Sequence, residues 1–169
     1  MSKDTTELFI LLNSNKLDEL KNQLTQENIN VYGASEQSLL HIAVSRSNVD
    51  AVRLLLDLGA NPNALDGNRS TPLIYAASGD QYEIAKFYDI IKLLLEAGAD
   101  PNIRGNKGMT ALRWAVTNPK GDFRLVRLLL QHGADPWIEN DNGGHAVNYA
   151  ETVHPDLAEE LKQTRPKAK

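Results

Sequence analysis

The chain has 169 residues, a net charge of −4, 24% charged residues and no cysteine. That length suffices for a buried core, and the mild acidity argues against a nucleic-acid partner, which would favour a clustered basic face. Disulfides and thiolate metal sites are excluded, which fits a reducing compartment.

In chain order, Thr5 or Thr6 is expected to cap a first helix whose apolar face uses Leu8, Phe9, Leu11 and Leu12. The apolar run 8–12 is shorter than the seven or so residues of a signal-peptide core. No stretch approaches the roughly 20 apolar residues of a membrane span. The expected location is therefore cytoplasmic, away from any membrane. Asn13-Ser14-Asn15 breaks the first helix, and Leu17, Leu20 and Leu24 define a second. Lys16, Glu19, Lys21 and Gln23 suit the solvated face of a terminal cap, so residues 4–30 read as a first unit.

A second unit spans about 31–63. Ser38 opens a short helix, Ser45-Arg46-Ser47-Asn48 turns the chain, and Val49, Val52, Leu55 and Leu56 supply a helical stripe widened by Leu54 and Leu58. So wide a stripe must pack on a partner helix and on a neighbouring unit. Gly59 suits the left-handed position that ends a helix.

The third unit, 64–102, starts with the turn-rich tip Leu65-Asp66-Gly67-Asn68-Arg69 and a helix start, Thr71-Pro72-Leu73. Six extra residues separate its two helices, and the inserted segment 79–89 carries Tyr82, Phe87 and Tyr88. The fourth unit, 103–137, begins its helix at Thr110, and its inter-helix turn Asn118-Pro119-Lys120-Gly121 is two residues longer than in the second. The fifth, 138–163, ends in a charged helix that suits a second cap. Residues 164–169 carry a proline and three cations and read as a disordered basic tail.

Three segments repeat one decapeptide: residues 54–63, 93–102 and 128–137, each a leucine triplet followed by Gly-Ala-Asn/Asp-Pro. A recurring segment at this spacing predicts a repeat architecture. The starts Ser38-Leu-Leu-His41-Ile-Ala43, Thr71-Pro-Leu-Ile-Tyr-Ala76 and Thr110-Ala-Leu-Arg-Trp-Ala115 resemble the Thr-Pro-Leu-His-x-Ala signature of ankyrin repeats, and the decapeptides are similar to that family's second helix and following loop. The resemblance covers about residues 4–163. It implies an all-α solenoid of stacked antiparallel helix pairs with hairpin or turn fingers, in one domain over 1–163. Arg69 stands at the usual hairpin glycine, and His145 replaces the capping threonine of the last unit.

For function, the resemblance implies a non-enzymatic module that binds another protein through its finger tips and inner helices. The positions carried over are Ser35, Gln37, Arg46, Asn68, Ser78, Asn106, Lys107, Met109, Asn118 and Asp141, to which Tyr82 of the insertion is added. A dedicated inhibitor or immunity-type binder is the specific form expected, working as a monomer; a self-associating adapter is the alternative. No catalytic, metal-binding or cofactor-binding residue is expected, because the four histidines have no partners at ligand spacing and no catalytic motif occurs. His41 is expected to hydrogen-bond the backbone between fingers, and His132 to meet helix carbonyls. Ile42, Tyr75, Trp114 and Tyr149 share one repeat position; a core row is expected, with a partly exposed strip as the alternative. Trp137 is expected to cover the apolar end of the array, with an interface anchor as the alternative. The insertion either binds a partner or lengthens both helices and packs on Phe123.

Overall fold

The computed structural model describes residues 3–33, 36–79, 84–117 and 123–164. Among them the chain forms ten α-helices: α1 (Lys3–Asn13), α2 (Leu17–Gln23), α3 (Leu39–Ser45), α4 (Val49–Asp57), α5 (Pro72–Ser78), α6 (Ile84–Glu96), α7 (Ala111–Ala115), α8 (Arg124–Gln131), α9 (Ala146–Val153) and α10 (Pro155–Gln163). Successive helices pack as pairs, α1 with α2 through α9 with α10. The pairs stack into an inner column, α1–α3–α5–α7, and an outer column, α4–α6–α8. This is the all-α solenoid that the repeats imply.

Local chemistry sets the start of each inner helix. The side chains of Ser38, Thr71 and Thr110 accept the backbone N–H three residues on, and Pro72 occupies a first-turn position where no N–H is needed. The last unit uses a different device. His145 Nδ1 accepts the Asn148 N–H at 3.2 Å, and Asn148 Oδ1 accepts the His145 N–H at 2.9 Å. A histidine thus performs the capping-box role of the missing threonine. The first helix departs from expectation. It begins at Lys3, which puts Thr5 and Thr6 inside it and not at its cap.

Each outer helix ends in the same way. Gly59, Gly98 and Gly133 have φ of +92°, +88° and +84°, a region where a Cβ is unfavourable. The alanine after each glycine donates back to the last helical turn: Ala60 to Leu55, Ala99 to Leu94 and Ala134 to Leu129, all within 3.0 Å. These are Schellman closures. The accepting leucine, second in each triplet, is completely buried. At roughly 1.5–3 kcal/mol per buried leucine, these three anchor the continuous core.

Consecutive outer loops are then joined by an asparagine ladder. Asn30 Oδ1 accepts the Asn61 N–H at 2.7 Å; Asn63 and Asn102 accept the Asp100 and Asp135 N–H groups at 2.8 Å. Asn63 and Asn102 also donate to the carbonyls of Gly98 and Gly133 at 3.1 and 2.9 Å. Trp137 ends the ladder and packs against the core beside the His145 ring, 5.1 Å away.

The insertion is absorbed in part by α6, which has 13 residues against nine in α4, whereas α5 matches α3 at seven. One helix is lengthened, not both. Phe87 is buried on Gly79, where an added Cβ would stand 2.4 Å from the ring, and Tyr88 packs against the core. The aromatic neighbour of Phe123 is His154, at 4.8 Å. Tyr82 lies outside the described residues, as do Ser35, Asn118 and residues 165–169 of the tail.

Candidate functional site

Four fingers project between the helix pairs, and one hydrogen-bond pattern builds them all. Gly33, Asp66, Gly105 and Asn140 each donate N–H to the carbonyl four residues on, at 2.8–3.0 Å. Each in turn accepts from the residue three positions on: Glu36, Arg69, Gly108 and Gly143. Those four are left-handed, with φ of +55°, +62°, +71° and +74°. The tips at 36 and 69 therefore hold side chains where glycine fits with less strain. Among the described residues the fingers are turns, with one isolated β-bridge, Tyr32 to Ser38.

A polar relay braces the second of these fingers. Asp66 Oδ1 accepts the N–H groups of Asn68 and Ser70 at 2.9 and 2.8 Å, and Asp66 Oδ2 accepts the Tyr75 hydroxyl at 2.7 Å. Gln37 donates to that hydroxyl at 2.6 Å. Burial, and then the Asp66 carboxylate, pushes the Tyr75 phenol above its ordinary range.

His41, fully buried, joins the same structure. Its Nδ1 accepts the Ser38 N–H at 3.2 Å, so the proton sits on Nε2, which donates to the Ser70 carbonyl at 3.0 Å. The ring thus bonds the backbone of the next finger, as the resemblance implies. Burial lowers its pKa, against the raising effects of the Ser70 bond and the Asp66 charge. His132 differs from expectation: its backbone N–H meets the carbonyls of Leu128 and Leu129, while the ring bonds none of the described residues.

Among the residues carried over, Asn68, Asn106, Lys107 and Asp141 are brought together. They line one open groove of about 600 Å³ with Gly67, Arg69, Arg104, Gly105 and Gly108. Met109 sits half-buried at the base of the 105–109 finger, its sulfur 3.7 Å from Asn140 Nδ2. Arg46 and Ser78 are exposed at the ends of α3 and α5, apart from the groove lining. Gln37 is committed to Tyr75.

Sequence reasoning left Arg69 and Arg104 out of the site. The left-handed arginine at a glycine position was the available signal for the first, and the Arg104–Asp141 pair at 2.8 Å depends on a contact between fingers. The shared repeat position divides: Ile42, Tyr75 and Tyr149 pack against the core, and Trp114 is the exposed member. Tyr75 and Tyr149 are half-buried and Trp114 is 37% exposed.

Among the described residues, no group of three or more His, Cys, Asp or Glu side chains could hold a metal ion, and no helix is long and apolar enough to cross a membrane. The arrangement offers a shaped polar surface with half-buried aromatic side chains beside it.

Comparison with known proteins agrees with this geometry. A family profile described as ankyrin repeats (3 copies) matches residues 8–104 and again 85–166. Two ankyrin repeat proteins of Fowlpox virus (strain NVSL) resemble parts of the chain. FPV022 is 36% identical over 64 residues, covering 36% of this chain and 11% of its own length. FPV230 is 42% identical over 53 residues, covering 31% of this chain and 28% of its own. The chain thus spans less than a third of either relative. Ankyrin arrays generally serve as non-enzymatic protein–protein interaction modules. The stacked helix pairs, their threonine caps and the profile match across most of the length establish that the chain belongs to the ankyrin-repeat family.

Proposed function

We propose that this protein is a dedicated binder of another protein, an inhibitor or immunity-type module that masks its target. The observation that carries the reading is the convergence of Asn68, Asn106, Lys107 and Asp141 on one open groove between braced fingers. A rigid polar concavity suits recognition, because little side-chain and loop freedom remains to be lost on binding. The half-exposed Trp114 adds an anchor of the residue type most enriched at binding hot spots. In this reading residues 1–163 act as one domain of five units, monomeric and cytoplasmic, with no nucleic acid or membrane as partner and no cofactor. Ser35, Gln37, Arg46, Ser78, Tyr82, Met109 and Asn118 complete the proposed contact set.

The test is affinity capture from the native lysate, followed by alanine at Arg46, Tyr82, Asn106 and Lys107 together. Loss of the captured protein, and inhibition of that protein's activity by the unmodified chain, is the expected result. Retention by the fourfold variant would place the interface elsewhere. Light scattering against concentration separates the binder from a self-associating adapter: mass that grows with concentration would favour the adapter.

A further inference from the structure

We infer that the groove between the 66–70 and 105–109 fingers binds an acidic segment of the partner protein, seating a carboxylate against Arg69 and Lys107. The inference rests on the binder reading above and names the chemistry that its groove selects.

Charge is the first observation. Both side chains are exposed and line the groove, and neither has a hydrogen-bond or ion-pair partner among the described residues. The nearest acids are Asp66, Asp141 and Glu36, whose carboxylate stands over Gly67 at the groove edge. Asp66 is buried and accepts from Asn68, Ser70 and Tyr75, while Asp141 pairs with Arg104 at 2.8 Å. Among the residues lining the groove, Arg69, Arg104 and Lys107 outnumber the one acid, Asp141, in a chain of net charge −4. Positive charge is therefore concentrated on this face of an acidic protein, which attracts an acidic segment and repels a basic one.

Backbone strain is the second. Arg69 and Lys107 both lie in the left-handed region, at φ of +62° and +54°. Gly108 and Gly143 hold the position equivalent to Arg69 in the next two fingers. Both strained positions present a cation to one groove, whereas the equivalent tip of the preceding finger carries Glu36.

Shape is the third. At about 600 Å³ the groove exceeds what a single ion fills and falls in the range of a binding cleft. The exposed Asn68 and Asn106 amides can pair with the main chain of an extended segment. No aromatic side chain lines it, so it offers no stacking platform for bases.

The test titrates a short peptide of alternating glutamate and serine into the full ¹⁵N-labelled chain and follows the amides of Gly67, Gly105 and Gly108. Saturable shifts confined to the groove are expected, weakening as salt rises, with none from the glutamine–serine peptide. The double variant Arg69→Gly, Lys107→Asn should weaken binding by about tenfold, as expected for losing charge-assisted contacts. Glycine and asparagine both tolerate the left-handed conformation, and unchanged amides elsewhere report an intact fold. Unmoved groove amides, equal binding of the glutamine peptide, or undiminished binding by the double variant each overturn the inference. A single-stranded oligoribonucleotide that moves the same amides at lower concentration also overturns it, in favour of a nucleic-acid groove. If the double variant keeps a captured protein that the fourfold alanine variant loses, the inference fails and the binder reading stands. If the fourfold variant keeps its partner, the binder interface fails, while the peptide titration still decides the chemistry of the groove.

Discussion

The Arg113 guanidinium lies 4.1 Å from the centre of the Tyr149 ring, joining α7 to α9 at the repeat position where His41 bonds the next finger. The substitution is imperfect. Arg113 Nε and Nη1 are buried with no hydrogen-bond partner among the described residues, and burial draws the group below its ordinary pKa. A cation–π contact recovers only part of the lost solvation. Histidine at this position would supply the single N–H that its counterpart directs at the carbonyl before the next helix cap. We expect Arg113→His to raise unfolding free energy in urea by about 1 kcal/mol. A fall of that size would show that the stacked guanidinium is the better fit.

The asparagine ladder gives a second expectation. Asn63 and Asn102 each make two hydrogen bonds that cross between outer loops. Alanine at either position should cost about 1–2 kcal/mol, at roughly 1 kcal/mol per net bond at an exposed site. Denaturant midpoints measure this, and an unchanged midpoint would mean that water replaces the ladder without loss.

Two substitutions at left-handed positions should act in opposite directions. Gly98 has φ +88° and open space where a Cβ would stand, so Gly98→Ala isolates the conformational term and should lose about 1–2 kcal/mol. Arg69→Gly relieves the same strain and should be neutral or stabilising by up to about 1 kcal/mol. Thermal unfolding of the two variants side by side is sufficient.

His41 makes stability depend on pH in a defined direction. Its folded pKa is lowered, chiefly by burial, so the unfolded chain takes up the proton first as pH falls below the ordinary value of about 6.5. The contribution of the neutral ring is complete above that pH and is lost as pH falls toward the folded pKa. The groups facing the ring are Ser38, the Ser70 carbonyl, Tyr75 and the Asp66 charge. Melting temperatures should therefore drop between pH 7 and 5. In His41→Gln that part of the slope should vanish, on a baseline lowered by about 1–3 kcal/mol for the buried bonds removed. An unaltered slope in the variant would assign the pH dependence to other groups.

The scaffold was legible because its determinants are local. A threonine before Pro-Leu caps a helix whatever lies beyond, and a leucine triplet before Gly-Ala closes one. The exposure of Trp114 was not legible. Its apolar ring argued for burial, whereas its place on the inner column, away from the outer helices, leaves the ring at the surface. Phe87 went the other way: only the bare Cα of Gly79, brought opposite by the lengthened α6, makes room for it. The start of α1 at Lys3 was hidden, because Thr5 and Thr6 are good capping residue types, yet both are taken into the helix. The groove was half visible. Its asparagines and Lys107 follow from repeat position, but the Arg104–Asp141 pair requires two fingers to be neighbours in space.

The asparagine ladder makes the joints between outer loops interchangeable. Asn63 meets the Gly98 carbonyl and the Asp100 N–H; Asn102 meets those of Gly133 and Asp135. Excising residues 64–102 would leave Asn63 in frame with Gly133 and Asp135, offered the same two groups. The protein can therefore be shortened or extended by whole modules without orphaning a donor, but not by a fraction of one. Trp137 brings no carboxamide to the next coupling, so it is the terminus beyond which this mode of growth stops.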